Sequence, residues 1–377
     1  MATVGTSSPT SKKEHRPSPS PGKASSEICI KMLEPLGFTN DEQEQLVTDL
    51  LALKKRQIQE FLVQLELPKS GTKAELRSRI EESLLDGTIS PEQIVRYLDE
   101  VVPWGKQHVY LYGGPKTSMA DWKDVGWFEA HLKQHRLGKY LNAVLPLMLP
   151  EQMKISSILH NGRRIRVIAI KKREWDERDP EYDESKQTEA GEAVKLRAFV
   201  HRVMRGLVAF EWDLISNTAF LQISQLPRGV KYEEVAEEFF DLTAGWLDIS
   251  RFPILELRKP IQKLHKLEED KAGETRSHGI NYRTMEGRRL EGKSASPSDP
   301  LLGDPVIDTA FATMRDSGVA HLGNFYWLPN GAANPGVNPL ESEVHVLVVG
   351  QHNRISFPTP NKERAVRYVL SRIRSHC

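Results

Sequence analysis

The chain has 377 residues, with 52 lysines and arginines against 51 aspartates and glutamates and a formal net charge of +1. That length supports two or three domains with a substantial core, and so even a charge balance excludes binding to nucleic acid or membrane through bulk charge, leaving local patches to do it. Cys29 and Cys377 alone exclude a disulfide framework and a cysteine-built zinc site and point to a reducing interior, and no apolar run approaches the roughly 20 residues of a membrane span or the core of a secretory signal.

Residues 1–26, "MATVGTSSPTSKKEHRPSPSPGKASS", are rich in Ser, Pro and Lys and nearly free of apolar side chains. They bury too little to offset the entropy of ordering and are expected to form a disordered, mildly basic tail. Residues 27–103 read as a helical domain. Asn40 precedes "DEQEQLVTDLLAL", whose acidic first turn suits the helix dipole, and "KKRQIQEFLVQLEL" continues with helical spacing until Pro68 ends it. Thr72 and Glu75 then form an S/T-x-x-E capping box that starts "KAELRSRIEESLL"; Gly87 closes that helix, and Ser90, Pro91 and Gln93 start another.

From Trp104 the pattern becomes mixed helix and strand, with residues 104–170 as a connecting region and 171–377 as an α+β domain carrying antiparallel strands. "HVYLY" reads as a strand and "WFEAHLKQHRLGKYL" as a helix, while "RRIRVIAIKK" alternates like a half-buried strand. The acidic run "EWDERDPEYDESKQTEAGE" reads as an exposed loop, and residues 196–207 fit helix and strand equally. "VAFEWDL" and "AFLQISQL" form a hairpin, followed by the amphipathic helix "KYEEVAEEFFDLTAGWL". Residues 258–304 are expected to be a flexible, charged insertion, because no ordinary loop is that long. The chain ends in three short strands and the helix "NKERAVRYVLSRIRS".

The junction "LPKSGTKAEL", with the apolar positions of both flanking helices and the Arg-x-Arg-Ile that follows, resembles the SAP module, a helix, extended turn and helix found in DNA-associated proteins. The resemblance covers about residues 50–85 and implies binding of double-stranded DNA through its backbone. The residues support this separately. Gly71 lets the main chain approach a phosphate, and the free amides opening the second helix point outward with the positive end of its dipole. Residues 50–80 hold seven basic side chains against three acidic ones. Expected contacts are the main chain at Ser70, Gly71 and Thr72, charge from Lys69, Lys73 and Arg77, and steering by Lys54, Lys55 and Arg56. The same hairpin on another chain could hold a protein, and charge on a small helical module can be a solvated face.

Other signals carry less. "GRRLEGKS", residues 287–294, matches a phosphate-loop expression, but "ASPSDP" follows where a helix is required. Arg276, Arg283, Arg288, Arg289 and Lys293, with Tyr282 among them, could track a second stretch of backbone or line an ordinary loop. The twelve histidines are read as carrying no metal site. No catalytic set is assigned; Glu211 and Asp213, on one face of the hairpin with Gln222 on the return strand, are the nearest to one, and such a face can hold magnesium or simply face water. In "GNFYWLP", alternation places at least one aromatic in the core.

Together these features describe a multidomain intracellular chain, in cytoplasm or nucleoid, or in the nucleus if eukaryotic, with no cofactor and no metal. A small all-α module holds duplex DNA, and the α+β region acts as effector or binds a protein partner. The alternatives are a nuclease-like enzyme delivered to DNA by the module, and a protein-binding adaptor.

Overall fold

Capping chemistry sets the first four helices: α1 (Asn40–Ala52), α2 (Lys55–Gln64), α3 (Lys73–Leu85) and α4 (Pro91–Val101). Thr39, not Asn40, caps α1, its hydroxyl accepting from the Glu42 amide while Glu42 reaches back; Thr72 with Glu75 and Ser90 with Gln93 repeat the same box on α3 and α4. Each such cap is worth about 1 kcal/mol. The computed structural model describes residues 38–143, 149–270, 273–329 and 338–377, so the tail expected over residues 1–26 and Cys29 lie outside the described residues.

The four helices share one small core. Leu46, Val47 and Leu50 of α1, Ile58, Phe61 and Leu62 of α2, Leu76 and Ile80 of α3, and Ile94 and Leu98 of α4 are all buried. Tyr97 closes it, its ring 5.0 Å from Phe61 and its hydroxyl donating to the Gln57 carbonyl at 2.6 Å. A two-helix hairpin alone buries too little apolar surface to be stable, and α1 and α4 supply the rest.

Beyond them the chain runs β1 (Gln107–Gly113), α5 (Ala120–Lys123), α6 (Val125–Gln134), β2 (Lys154–His160), β3 (Arg164–Arg178), β4 (Glu184–Gln187), β5 (Ala193–Leu196), β6 (Phe199–Asp213), β7 (Thr218–Ser224) and α7 (Tyr232–Thr243). It continues through α8 (Arg258–Glu269), β8 (Thr275–Arg283), β9 (Arg289–Lys293), α9 (Pro305–Ser317), β10 (Val319–Trp327), β11 (Val344–Val349), β12 (Arg354–Phe357) and α10 (Glu363–Ser375). Ten strands form one antiparallel sheet in the order β2-β3-β6-β7-β1-β12-β11-β10-β8-β9, and β4 pairs separately with β5. The chain is therefore a helical N-terminal region followed by a larger region dominated by an antiparallel sheet with helices.

Alternation along β1 divides the core in two. Val109 and Leu111 join α8 and α10 on one face; Tyr110 and Tyr112 join α6 and α7 on the other. The expected boundary at residues 170 and 171 falls inside β3, and β1, β2 and β3 belong to the same sheet as the later strands. Two other expectations need correction. The acidic run read as a loop begins as the outer half of β3, which pairs with β6 from Arg164↔Asp213 to Arg178↔Phe199, so the ambiguous residues 199–207 are strand. Residues 258–304, expected to be a flexible insertion, contain α8, β8 and β9. The buried face of α8 includes His265, which shares a 2.9 Å hydrogen bond with the Tyr282 hydroxyl, and β8 buries Ser277, His278 and Asn281. Polar residues facing inward hide the periodicity that hydrophobicity would otherwise reveal.

An ion pair and an aromatic ring tie the helical region to the sheet. Asp49 of α1 pairs with Arg205 of β6 at 3.3 Å, both side chains being mostly buried. Trp104, just after α4, lies under two guanidinium groups, Arg166 of β3 at 4.9 Å and Arg367 of α10 at 5.2 Å from its ring centre. Arg367 in turn donates through both terminal nitrogens to the two carboxylate oxygens of Glu211 on β6.

Candidate nucleic-acid interface

The turn between α2 and α3 bends through two left-handed residues, Glu66 at φ 60° and Gly71 at φ 131°. Its carbonyls are drawn inward. Arg79 of α3 donates through one terminal nitrogen to the carbonyls of Pro68 (2.7 Å) and Ser70 (3.0 Å), and Gln59 of α2 donates its amide to Lys69 O at 2.9 Å. With three successive carbonyls held, the N–H groups of Ser70, Gly71, Lys73 and Ala74 have no acceptor among the described residues, whereas the Thr72 amide donates to Glu75 and the Glu75 amide to the Thr72 hydroxyl. The turn and the first turn of α3 thus expose unpaired amides at the positive end of a 13-residue helix.

Hydrogen bonds from the Thr72 amide and hydroxyl hold the Glu75 carboxyl below the usual range, so it stays ionised and committed to the cap. Gly71 has a tight place beside it, since a Cβ there would lie 2.8 Å from Oε2 of Glu75. Gly71→Ala is therefore expected to cost about 1–2 kcal/mol through the left-handed φ and a displaced cap, read as a lower urea midpoint together with weaker duplex binding.

The expected contact residues separate into groups. Lys54, Lys55 and Lys69 are exposed and have no ion pair among the described residues. Arg56 is exposed but pairs with Glu60 at 3.1 Å, and Arg77 pairs with Glu81 at 2.7 Å, exposed i,i+4 pairs that an incoming phosphate can exchange at little cost. Lys73 differs most from expectation. Its ammonium donates to the carbonyls of Leu51 and Leu53, each at 2.9 Å, and so closes the C-terminal end of α1. Replacing Lys73 would disturb packing as well as charge. Arg79, the second arginine of Arg-x-Arg, was not singled out in the sequence. Its six-residue distance from Lys73 gave no sign that it reaches back across the turn.

The other sequence candidates are occupied elsewhere. Glu211 is bound by Arg367, with Arg164 and Arg166 at 3.9 and 4.0 Å, and Asp213 accepts from the amides of Ile215 (2.8 Å) and Ser216 (2.9 Å) in the β6–β7 turn. No group of three or more His, Cys, Asp or Glu that could hold a metal exists among the described residues. "GRRLEGKS" lies in the β8–β9 hairpin and enters an exposed loop, not a helix. In the basic segment around it, Tyr282 is fully buried and Arg276 is held by Glu343. Phe325 and Trp327 are core, with Tyr326 on the opposite face. One pair was missed. His131 and His135 stand four residues apart on and just past α6, with ring centres 4.7 Å apart.

A family model, SAP domain, matches residues 49–85. No curated protein matches the chain. The SAP domain suggests nucleic-acid binding.

Proposed function

We propose that this chain holds double-stranded DNA through backbone phosphates, using the turn before α3 as an anion cradle and the larger sheet region as the body that positions it or engages a further partner. The amides of Ser70, Gly71, Lys73 and Ala74 receive the phosphate oxygens. Lys54, Lys55 and Lys69 supply unpaired charge around them, and Arg56 and Arg77 join by releasing their glutamates. The observation that carries this reading is the inward anchoring of the Pro68, Lys69 and Ser70 carbonyls by Arg79 and Gln59, which leaves the amides outward. Contacts of this type fix position and carry little sequence information, so binding is expected to be weakly sequence-dependent and to place the protein wherever DNA is, in nucleus or nucleoid.

Titration of the full chain with a duplex oligonucleotide in dilute buffer tests the cradle. Amide resonances of Ser70, Gly71, Lys73 and Ala74 are expected to shift, while those of the buried positions Ile58 and Leu62 stay in place. Shifts confined to the sheet region would reject the reading.

A further inference from the structure

The large sheet ends at β9, which pairs with β8 and has no strand on its other side among the described residues, whereas the opposite edge, β2, is met by a bridge from Leu141 to Ile158. The phase of the β8–β9 ladder fixes where the main chain of β9 points. Thr284 donates to the Arg288 carbonyl at 2.8 Å and Ser294 to the His278 carbonyl at 2.9 Å, and the pairs Tyr282↔Leu290 and Ile280↔Gly292 follow at the same two-residue spacing. Leu290 and Gly292 therefore direct their amides and carbonyls to β8. Those of Arg289, Glu291 and Lys293 point outward from the edge, with no main-chain partner among the described residues.

Beside this edge lies an open apolar groove of about 620 Å³, lined by Leu290 of β9 and by Val306, Thr309, Ala310, Thr313 and Met314, one stripe of α9. Val306 is 77% exposed, so the helix leaves apolar surface uncovered here. Leu290 is paired with buried Tyr282 and turns to the groove face, while Arg289, Glu291 and Lys293 alternate to the other face, where Arg283 stands opposite Arg289. Residues 283–293 carry four basic side chains, Arg283, Arg288, Arg289 and Lys293, against Glu286 and Glu291, and Glu291 is already held by Arg289. Short length and charge commonly guard an edge against pairing. That accounts for the lysine and arginines but not for the uncovered apolar stripe alongside them.

We propose that β9 accepts an extended peptide strand of a protein partner, added antiparallel to the edge, with apolar side chains at alternate positions and carboxylates at the two positions that meet Arg289 and Lys293. The peptide residues opposite Arg289, Glu291 and Lys293 exchange amide and carbonyl bonds with them and turn their side chains to the basic face. The residues between turn the other way, into the groove against Leu290 and the stripe of α9. Main-chain bonds supply affinity, and the groove and the two cations choose the partner. A phosphodiester chain would use the charge, but it has no amide for the edge carbonyls and no apolar side chain for the groove. The site uses nothing of the turn before α3 and goes beyond the nucleic-acid reading, so either can fail without the other.

The test is fluorescence anisotropy of the labelled heptapeptide Val-Glu-Val-Thr-Val-Glu-Val, titrated with the full chain; its glutamates meet Arg289 and Lys293 and its threonine meets Glu291. Saturable binding below about 1 mM is expected. N-methylation of the glutamates and threonine, whose amides face β9, should weaken binding about tenfold or more, whereas N-methylation of the inner valines, whose amides face away, should change it by less than about twofold. The rearranged peptide Val-Val-Val-Val-Glu-Thr-Glu has the same composition and charge without the alternation, and should also bind about tenfold more weakly. Val306→Asp alters an exposed helix position, so it is expected to fold and to weaken binding by about tenfold. Glu291→Pro removes only an outward amide from the edge and should weaken it likewise. Equal binding of the rearranged peptide or of the peptide methylated at glutamate and threonine, or unchanged binding in folded Val306→Asp, would each overturn the proposal. So would displacement of the peptide by a single-stranded oligonucleotide that itself requires Arg289 and Lys293, which assigns the edge to nucleic acid, or dimerisation of the chain abolished by Glu291→Pro, which assigns it to a second copy.

Discussion

Replacing Glu211 with alanine is expected to lower the unfolding free energy by about 3–5 kcal/mol, the cost of removing one partner from a buried ion pair and leaving the other uncompensated. Glu211 is only 3% exposed and carries both terminal nitrogens of Arg367, with Arg164 and Arg166 close by. Its loss removes the carboxylate that holds Arg367 and faces Arg166, the two guanidinium groups that lie against Trp104, a residue through which the helical region meets the sheet. Urea denaturation followed by tryptophan fluorescence measures the effect. The double variant Glu211→Ala with Arg367→Ala should lose markedly less than the sum of the two single changes, because each single change already breaks the same contact. Additive losses would mean that the pair is not coupled.

The same carboxylate gives the protein an acid limit. Burial alone would raise the Glu211 pKa, but the hydrogen bonds and charge of Arg367, helped by Arg166 and Arg164, bring it below the ordinary value. Glu274 is similar: burial is outweighed by His376, Tyr368 and Arg372. A carboxylate depressed in the folded state contributes stability that is present above its unfolded pKa, about 4.3, and is lost as pH falls through the lower folded value. Stability is therefore expected to hold near neutrality and to fall below about pH 4, with a shallower fall in Glu211→Ala.

The second large effect concerns the interface. Lys54→Glu, Lys55→Glu and Lys69→Glu together should flatten the dependence of duplex affinity on salt, reducing its logarithmic slope by about 3, because each lost lysine–phosphate contact removes about one released counterion. Over a fourfold change in salt each contact is worth about 3.5-fold in affinity, so across that range the parent should lose roughly 40-fold more affinity than the triple variant does. Unlike Lys73, none of these three side chains holds the module together, so the helical signal in circular dichroism should be unchanged. Binding curves over a range of salt concentrations decide it, and an unaltered slope in a folded triple variant would remove these lysines from the interface.

The module was legible because its signals are local. Capping boxes at Thr72 and Ser90, the break at Pro68 and the glycine at position 71 all act within one helical turn, and the apolar residues between them keep a 3.6-residue period. What lay outside that range was missed or misassigned. Arg79 acts on carbonyls nine and eleven residues earlier, and Lys73 on carbonyls 20 and 22 residues earlier. Both look in the sequence like ordinary exposed cations. Glu211 and Asp213 share a face as alternation requires, yet that says nothing of an arginine 156 residues later that occupies Glu211. Likewise α8 and β8 went unrecognised because His265, Ser277 and His278 are buried through hydrogen bonds that only partners elsewhere in the chain supply.

By itself the sequence determined where α3 and α4 begin, that a glycine bend with basic neighbours precedes α3, and that the remainder would build antiparallel strands. Those properties depend on backbone conformation and on neighbours within a few residues, which the order of side chains states directly. Tertiary structure alone decided that ten strands join in one sheet across the expected boundary, that Arg79 and Gln59 turn the bend's carbonyls inward, and that Trp104 is clasped between β3 and α10. Each of these is a pairing between groups far apart in the chain, and its free energy exists only once folding has brought both partners out of water and into contact.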